Sequence, residues 1–240
     1  MKELLGKITG VFTNHAEWWN DYLTEMSVLV ISLGATYYGD SLVNGYMEKQ
    51  EDMEAMKMIR SELVDNLKEL KEMEVYYLQE IRLSEALGSV LFYGKRIEED
   101  SLDTYCNLHR FYYYISLKTS AFDMVRESGT IQRIDKEILT HLFGCYERLA
   151  VVQDMSERYR EERITRLLAF TARLSGGKHA ATTAGQWKQI KRDRVFRQYL
   201  LTSLPLMAKS ALVINNATQQ LVREMIVAVD EAYPPDVSEK

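Results

Sequence analysis

The sequence predicts an all-α protein, an N-terminal membrane helix continuing into a long up-and-down antiparallel helical bundle. Three observations carry this. Only three prolines occur in 240 residues, and two of them, Pro234 and Pro235, sit in the tail. Proline punctuates loops and breaks helices, so a chain without one over 1–204 implies long helices and short connections. Apolar residues then recur at steps of three and four over long stretches, the spacing of one buried helix face. The third is the run 26–47, whose only formal charge is Asp40.

The first 17 residues form an arm with a short amphipathic stretch, Leu4, Leu5, Ile8, Val11 and Phe12. Residues 18–47 are the predicted transmembrane helix. Its 22-residue run 26–47 would extend about 33 Å as a helix, against about 30 Å of bilayer hydrocarbon. Trp18 and Trp19 precede Tyr37 and Tyr38 by 19 residues, about 28 Å on a helix, which suits two interfacial aromatic belts. Ser27, Ser32, Thr36, Ser41 and Asn44 make the run polar for a span, and a buried core helix is the competing reading. Lys7 interrupts the early apolar stretch and no small-x-small site follows, which argues against a cleaved signal peptide.

Residues 48–232 are the predicted bundle. Met56, Ile59, Leu63, Leu67, Leu70, Met73, Tyr77, Ile81, Leu87 and Leu91 form one stripe, with a break at Ser84. One helix therefore runs from the span to about Tyr93, about 70 Å beyond the membrane. Residues 94–100 form a turn and Ser101 caps a second helix over about 101–127. Ser128-Gly129 ends it, Gly129 supplying a left-handed C′ residue. Asp135 caps a third helix over about 135–174, with Ile134 and Leu139 placed as a hydrophobic staple. The glycine-rich loop 175–185 follows. A fourth helix covers about 186–232, kinked or offset at Pro205. Residues 233–240 are a tail.

Composition bounds the rest. At 46% apolar and 27% charged residues the chain is globular, which excludes wholesale disorder and collagen-like repeats. A mean hydropathy of -0.27 argues against many membrane spans. The net charge of -5 is uneven, because 157–209 holds 12 Lys/Arg against 4 Asp/Glu. Its strongest part is Lys188, Lys191, Arg192, Arg194 and Arg197. Such a segment meets phosphates or carboxylates in a partner, or pairs with Glu157, Glu161 and Glu162 of its own chain.

Two cysteines give no disulfide framework and no CxxC. Cys106-x-x-His109 and His141-x-x-x-Cys145 have metal-ligand spacings, but on adjacent antiparallel helices they would sit about 18 Å apart, far outside a zinc sphere. Leu174-Ser-Gly-Gly-Lys178 lacks any GxxxxGK[ST] phosphate cradle, and no HExxH or GxSxG occurs. The cluster Phe111-Tyr112-Tyr113-Tyr114 is expected to pack between helices with its phenol tips wet. No enzyme, cofactor, metal or small-molecule substrate is expected from these residues.

Two segments carry a family likeness. One is Glu25-Met-Ser-Val-Leu-Val-Ile-Ser-Leu-Gly34, followed by Glu48-Lys49-Gln50. The other runs Phe122, Asp123, Val125, Ser128, Gly129, Ile131, Ile134 and Asp135, with Leu139 and Tyr146 beyond. Together they resemble a bacterial family of single-pass membrane proteins whose span opens with Glu and whose middle carries F-D-x-L-x-x-S-G-x-L-x-x-I. In this chain the span is more polar, and Tyr46 stands near the position of the family's Trp. The resemblance implies a cytoplasmic (inner) membrane protein with its arm inside and its helical domain outside, and it supplies no activity. From the residues alone, the middle segment reads as a structural corner. The function expected is a membrane-anchored, non-enzymatic interaction or structural module, with the lipid bilayer and a protein partner or second copy as contacts. Outside the cytoplasm nucleic acid is an unfavoured partner. The alternative is a soluble bundle that binds an acidic or nucleic-acid partner through 188–197. Gly34 and Gly39 also allow two spans to approach in an oligomer.

Overall fold

The computed structural model describes residues 2–93, 114–174, 188 and 190–234. The chain is an all-α helical bundle, with no strand among the described residues. Its helices are α1 (Lys2–Tyr93), α2 (Ser120–Glu127), α3 (Lys136–Leu174), α4 (Arg194–Gln198) and α5 (Leu204–Ala232). The chain divides into two compact units, Met1–Met53 and Glu54–Lys240.

The first unit is helical from Lys2 onward, and every side chain described over 24–51 is exposed. It supplies one helix segment long and apolar enough to cross a membrane, with a best 18-residue mean hydropathy of 1.2 and none of that window buried. Two hydroxyls within it are turned onto their own helix: Ser32 donates to the Leu29 carbonyl and Thr36 to the Ser32 carbonyl, each at 2.9 Å.

The second unit is built on the α1 stripe. Met56, Ile59, Leu63, Leu70, Met73, Tyr77, Ile81 and Leu87 are all buried. Ser84, expected to break the stripe, is buried as well and fills the step from Ile81 to Leu87. A small hydroxyl is accommodated in a helix face because it can bond within its own turn. Leu142, Leu149, Val152, Tyr159 and Phe170 of α3 meet this face, as do Ala208, Ala211, Val222, Met225 and Val229 of α5.

Cross-helix bonds fix the directions. Glu62 meets Tyr146 and Glu80 meets Tyr159, so α1 and α3 run parallel. Arg60 meets Asp230, Leu70 meets Asn215 and Glu85 meets Lys209, so α5 runs antiparallel to α1. This is the up-and-down order of a bundle whose second leg descends between α1 and α3.

That second leg differs from the expected helix over 101–127. Residues 94–113 lie outside the described residues. Residues 114–119 are not helical, and only Ser120–Glu127 is. The physical reason is twofold. Tyr114, Ile115 and Thr119 are aromatic or β-branched, types that lose side-chain freedom in a helix. The neighbouring helices also satisfy the polar groups that a helix would have paired internally. Asn66 donates to the Lys118 carbonyl at 2.9 Å and accepts from its N–H at 2.7 Å. Gln153 donates to the Ile115 carbonyl and accepts from the Leu117 N–H, both at 3.1 Å. Two side-chain amides thus act as rungs of a ladder, holding a strap on α1 and α3 with Ile115 fully buried.

The fourth leg is broken rather than continuous. Asp193 is extended (φ -73°, ψ 96°), and its carboxylate caps α4 by accepting from the Phe196 N–H at 2.9 Å. A π-turn, Tyr199–Ser203, then precedes α5, with the Leu204 N–H donating to the Tyr199 carbonyl five residues back. Pro205 enters α5 in its first turn, where its missing N–H loses nothing. The wider π-turn absorbs the offset expected at Pro205.

Candidate functional site

Three arrangements lie in the second unit, and the first is the corner at 122–135. Phe122 stacks on Tyr146 (centroids 4.3 Å apart, 11° between planes) and meets Phe143 edge-on. Val125 is buried beside it. Asp123 accepts from Thr119 Oγ1 and pairs with Arg126 at 3.0 Å. Gly129 has φ +80°, the left-handed backbone that a side chain disfavours. Ser128 Oγ donates to the Val125 carbonyl or the Thr130 hydroxyl, locking the turn. Ile134 is buried, Ile131 and Leu139 are half-buried, and Asp135 caps α3 by accepting from the N–H groups of Glu137 (2.8 Å) and Ile138 (3.2 Å). The strap end of this corner is held by Glu62 of α1. Its carboxylate accepts from Tyr146 Oη (2.7 Å), the Ala121 N–H (2.8 Å) and Ser120 Oγ (3.1 Å). A carboxylate at the start of α2 also faces the positive end of that helix.

The second arrangement is a buried charge cluster. Glu80 and Arg163, each 3% exposed, pair at 3.0 Å between α1 and α3. Tyr159 donates to the same Glu80 oxygen at 2.7 Å, and Arg163 also bonds Tyr76 Oη. The rings of Tyr76, Tyr77 and Tyr159 meet edge to face or tilted around them. Among the described residues, the buried hydroxyls of Tyr77 and Tyr199 have no hydrogen-bond partner. Burial pushes the Glu80 carboxyl up to about 7, against the hydrogen bond from Tyr159, which lowers it. Burial likewise pushes the Arg163 guanidinium down to about 10. Desolvation outweighs mutual attraction for both members, the usual balance in a buried pair. The cluster can therefore hold or release a proton near neutrality inside the bundle, and it ties α1 to α3.

The third arrangement is the basic end. Lys188, Lys191, Arg192 and Arg194 are exposed, and Arg197 is half-buried with its Nη1 donating to the Lys191 carbonyl at 3.0 Å. Among the described residues Lys188, Arg192 and Arg194 form no ion pair. Of the acids expected to neutralise them, Glu162 pairs with Arg166 at 2.7 Å and Glu157 accepts from Gln153. An open groove beside them is lined by Phe92, Arg194, Arg197, Gln198, Leu201 and Thr202.

Other expected positions are not drawn together. Cys145 is fully buried, its thiol pushed up to about 12 by desolvation, whereas His141 is exposed, so the two do not present a shared face. Cys106, His109, Phe111–Tyr113, the loop 175–185 and the last six residues lie outside the described residues. Tyr114 lies on non-helical backbone, half exposed, with the Arg160 guanidinium 4.8 Å over its ring. In the first unit Tyr37 and Tyr38 are exposed, and the side chains of Trp18 and Trp19 lie outside the described residues.

Sequence reasoning missed Glu62, Asn66 and Glu80. Each stands one residue before a stripe position, Leu63, Leu67 and Ile81, but that spacing alone does not separate a buried polar residue from a solvated one. Comparison with protein-family models, curated proteins and solved structures finds no match for the chain.

Proposed function

We propose that this protein is a single-pass, membrane-anchored helical module that acts by contact rather than by catalysis. The observation that carries the reading is the exposure of the apolar run. Val28, Leu29, Val30, Ile31, Leu33, Leu42 and Val43 are all more than half exposed, and Leu42 reaches 70%. A core helix of a soluble bundle would bury this face. A lipid environment covers it without any protein partner. The bonds of Ser32 and Thr36 to their own helix support the same reading, because they lower the penalty for placing hydroxyls in hydrocarbon.

Membership in the bacterial single-pass family that two segments resemble belongs to the same proposal, as does a cytoplasmic-membrane location with residue 10 inside and residue 180 outside. Reporter fusions at those two residues test the sidedness. Sodium carbonate extraction tests the anchor: the full chain stays with the membrane pellet, and its release into the soluble fraction would refute the reading.

A further inference from the structure

The geometry points to the groove at the basic end as a docking site for a short acidic peptide segment of a partner protein that carries an apolar residue beside its carboxylates. The inference rests on the reading of the bundle as a binding module and not on the membrane anchor.

Two kinds of group meet there. Arg194 and Arg197 present guanidinium forks, which match carboxylates with two parallel hydrogen bonds. Between them and the end of α1 lie Phe92, 71% exposed, and the half-buried Leu201. An exposed phenylalanine flanked by unpaired arginine is a poor solvent face and a good anchor pocket, because interface energy concentrates on aromatic and Arg residues. The groove depends on the π-turn, which brings Leu201 to Gly88, where an added Cβ would lie 3.6 Å from Leu201 Cδ2. Turns of this kind recur at binding and catalytic sites.

The size of the charge selects the partner. Residues 188–197 hold five cations and one anion, Asp193, a net of +4. The chain carries -5 in all, so the remainder carries -9. Screening at about 0.1 M salt acts over about 10 Å. A short acidic segment is neutralised within that reach, whereas a long polyphosphate would extend past the patch into an acidic molecule. Asp193 is already counted in that net charge, and its carboxylate caps α4.

The test uses the full chain in detergent micelles and fluorescence anisotropy with three labelled probes. One is a short glutamate-rich peptide with a central leucine pair, one is polyglutamate of equal length, and one is a single-stranded oligonucleotide. The leucine-containing peptide should bind most tightly. The double reversal Arg194→Glu/Arg197→Glu should weaken it by more than about tenfold, and Phe92→Ala by about tenfold. Arg194 and Phe92 are exposed and Arg197 is half-buried, and unchanged far-UV helicity confirms the fold of both variants. Absence of peptide binding overturns the proposal. Equal binding of polyglutamate with no effect of Phe92→Ala also overturns it, leaving a plain polyanion patch. Tighter oligonucleotide binding replaces it with nucleic-acid recognition. None of these results bears on carbonate extraction, so failure here and failure of the anchor are distinguishable.

Discussion

Replacing the buried acid, Glu80→Gln, should change how stability depends on pH. The Glu80 carboxyl lies at about 7 in the fold against an ordinary value of 4.5. A carboxyl held above its unfolded value keeps its proton longer when folded. Its contribution is therefore complete below about pH 4.5 and is lost as pH rises through about 7. Integrating the linkage from about pH 5 to about pH 8 gives a loss of about 2–3 kcal/mol in the parent chain. Glutamine imitates the protonated state at every pH and should show none of it. Arg163 titrates near 10 and does not contribute in this window. Other carboxylates, such as Asp230 beside Arg60, act on both proteins alike and cancel in the difference. The assay is urea unfolding of both full chains in a neutral detergent, followed by far-UV circular dichroism at the two pH values. The stability of the parent relative to the variant should fall by about 2–3 kcal/mol between them. A difference that stays constant across the range would mean that Arg163 already holds Glu80 ionised, and the desolvation argument would be wrong.

Three further perturbations probe the strap, the corner and the anchor. Glu62→Ala removes the acceptor of three hydrogen bonds and leaves the Tyr146 hydroxyl buried without its carboxylate, so unfolding stability should drop by about 3–5 kcal/mol. A loss below about 1 kcal/mol would show that the strap is held by packing alone. Gly129→Ala should cost about 1–2 kcal/mol, all of it backbone strain at φ +80°, because an added Cβ meets nothing within 4 Å there. Recovery in Gly129→Asn, which tolerates that backbone, separates strain from packing, and loss of the Asp135 cap in Asp135→Ala should cost about 1 kcal/mol. Ile31→Arg places a charge in the exposed apolar run, at about 2.5–3.5 kcal/mol for a membrane-centred position. It should shift part of the protein from the pellet to the soluble fraction on carbonate extraction, and a soluble core helix would unfold instead.

The α1 stripe was legible because burial of one helix face leaves a strict period of three and four, and α3 was legible because Asp135 and Gly129 are local signals that act within one turn. The non-helical course of 114–119 was not legible. Its backbone is satisfied by Asn66 and Gln153, which are 52 and 36 residues away in sequence, and no local pattern announces a distant amide. The same holds for Glu80. Its charge predicts solvent, and only the arrival of Tyr159 and Arg163 from α3 allows it inside. The basic segment was visible as a charge run, but its groove required Phe92 at the end of α1 to meet the π-turn before Pro205.

The sequence alone thus determined what short-range forces decide: the all-α class, the helix ends set by caps and glycine, and the apolar run near the N-terminus. Tertiary structure decided which polar groups are buried and which cations stay unpaired. Those outcomes depend on exchanging water for particular partners, and the partners come together only when distant helices pack.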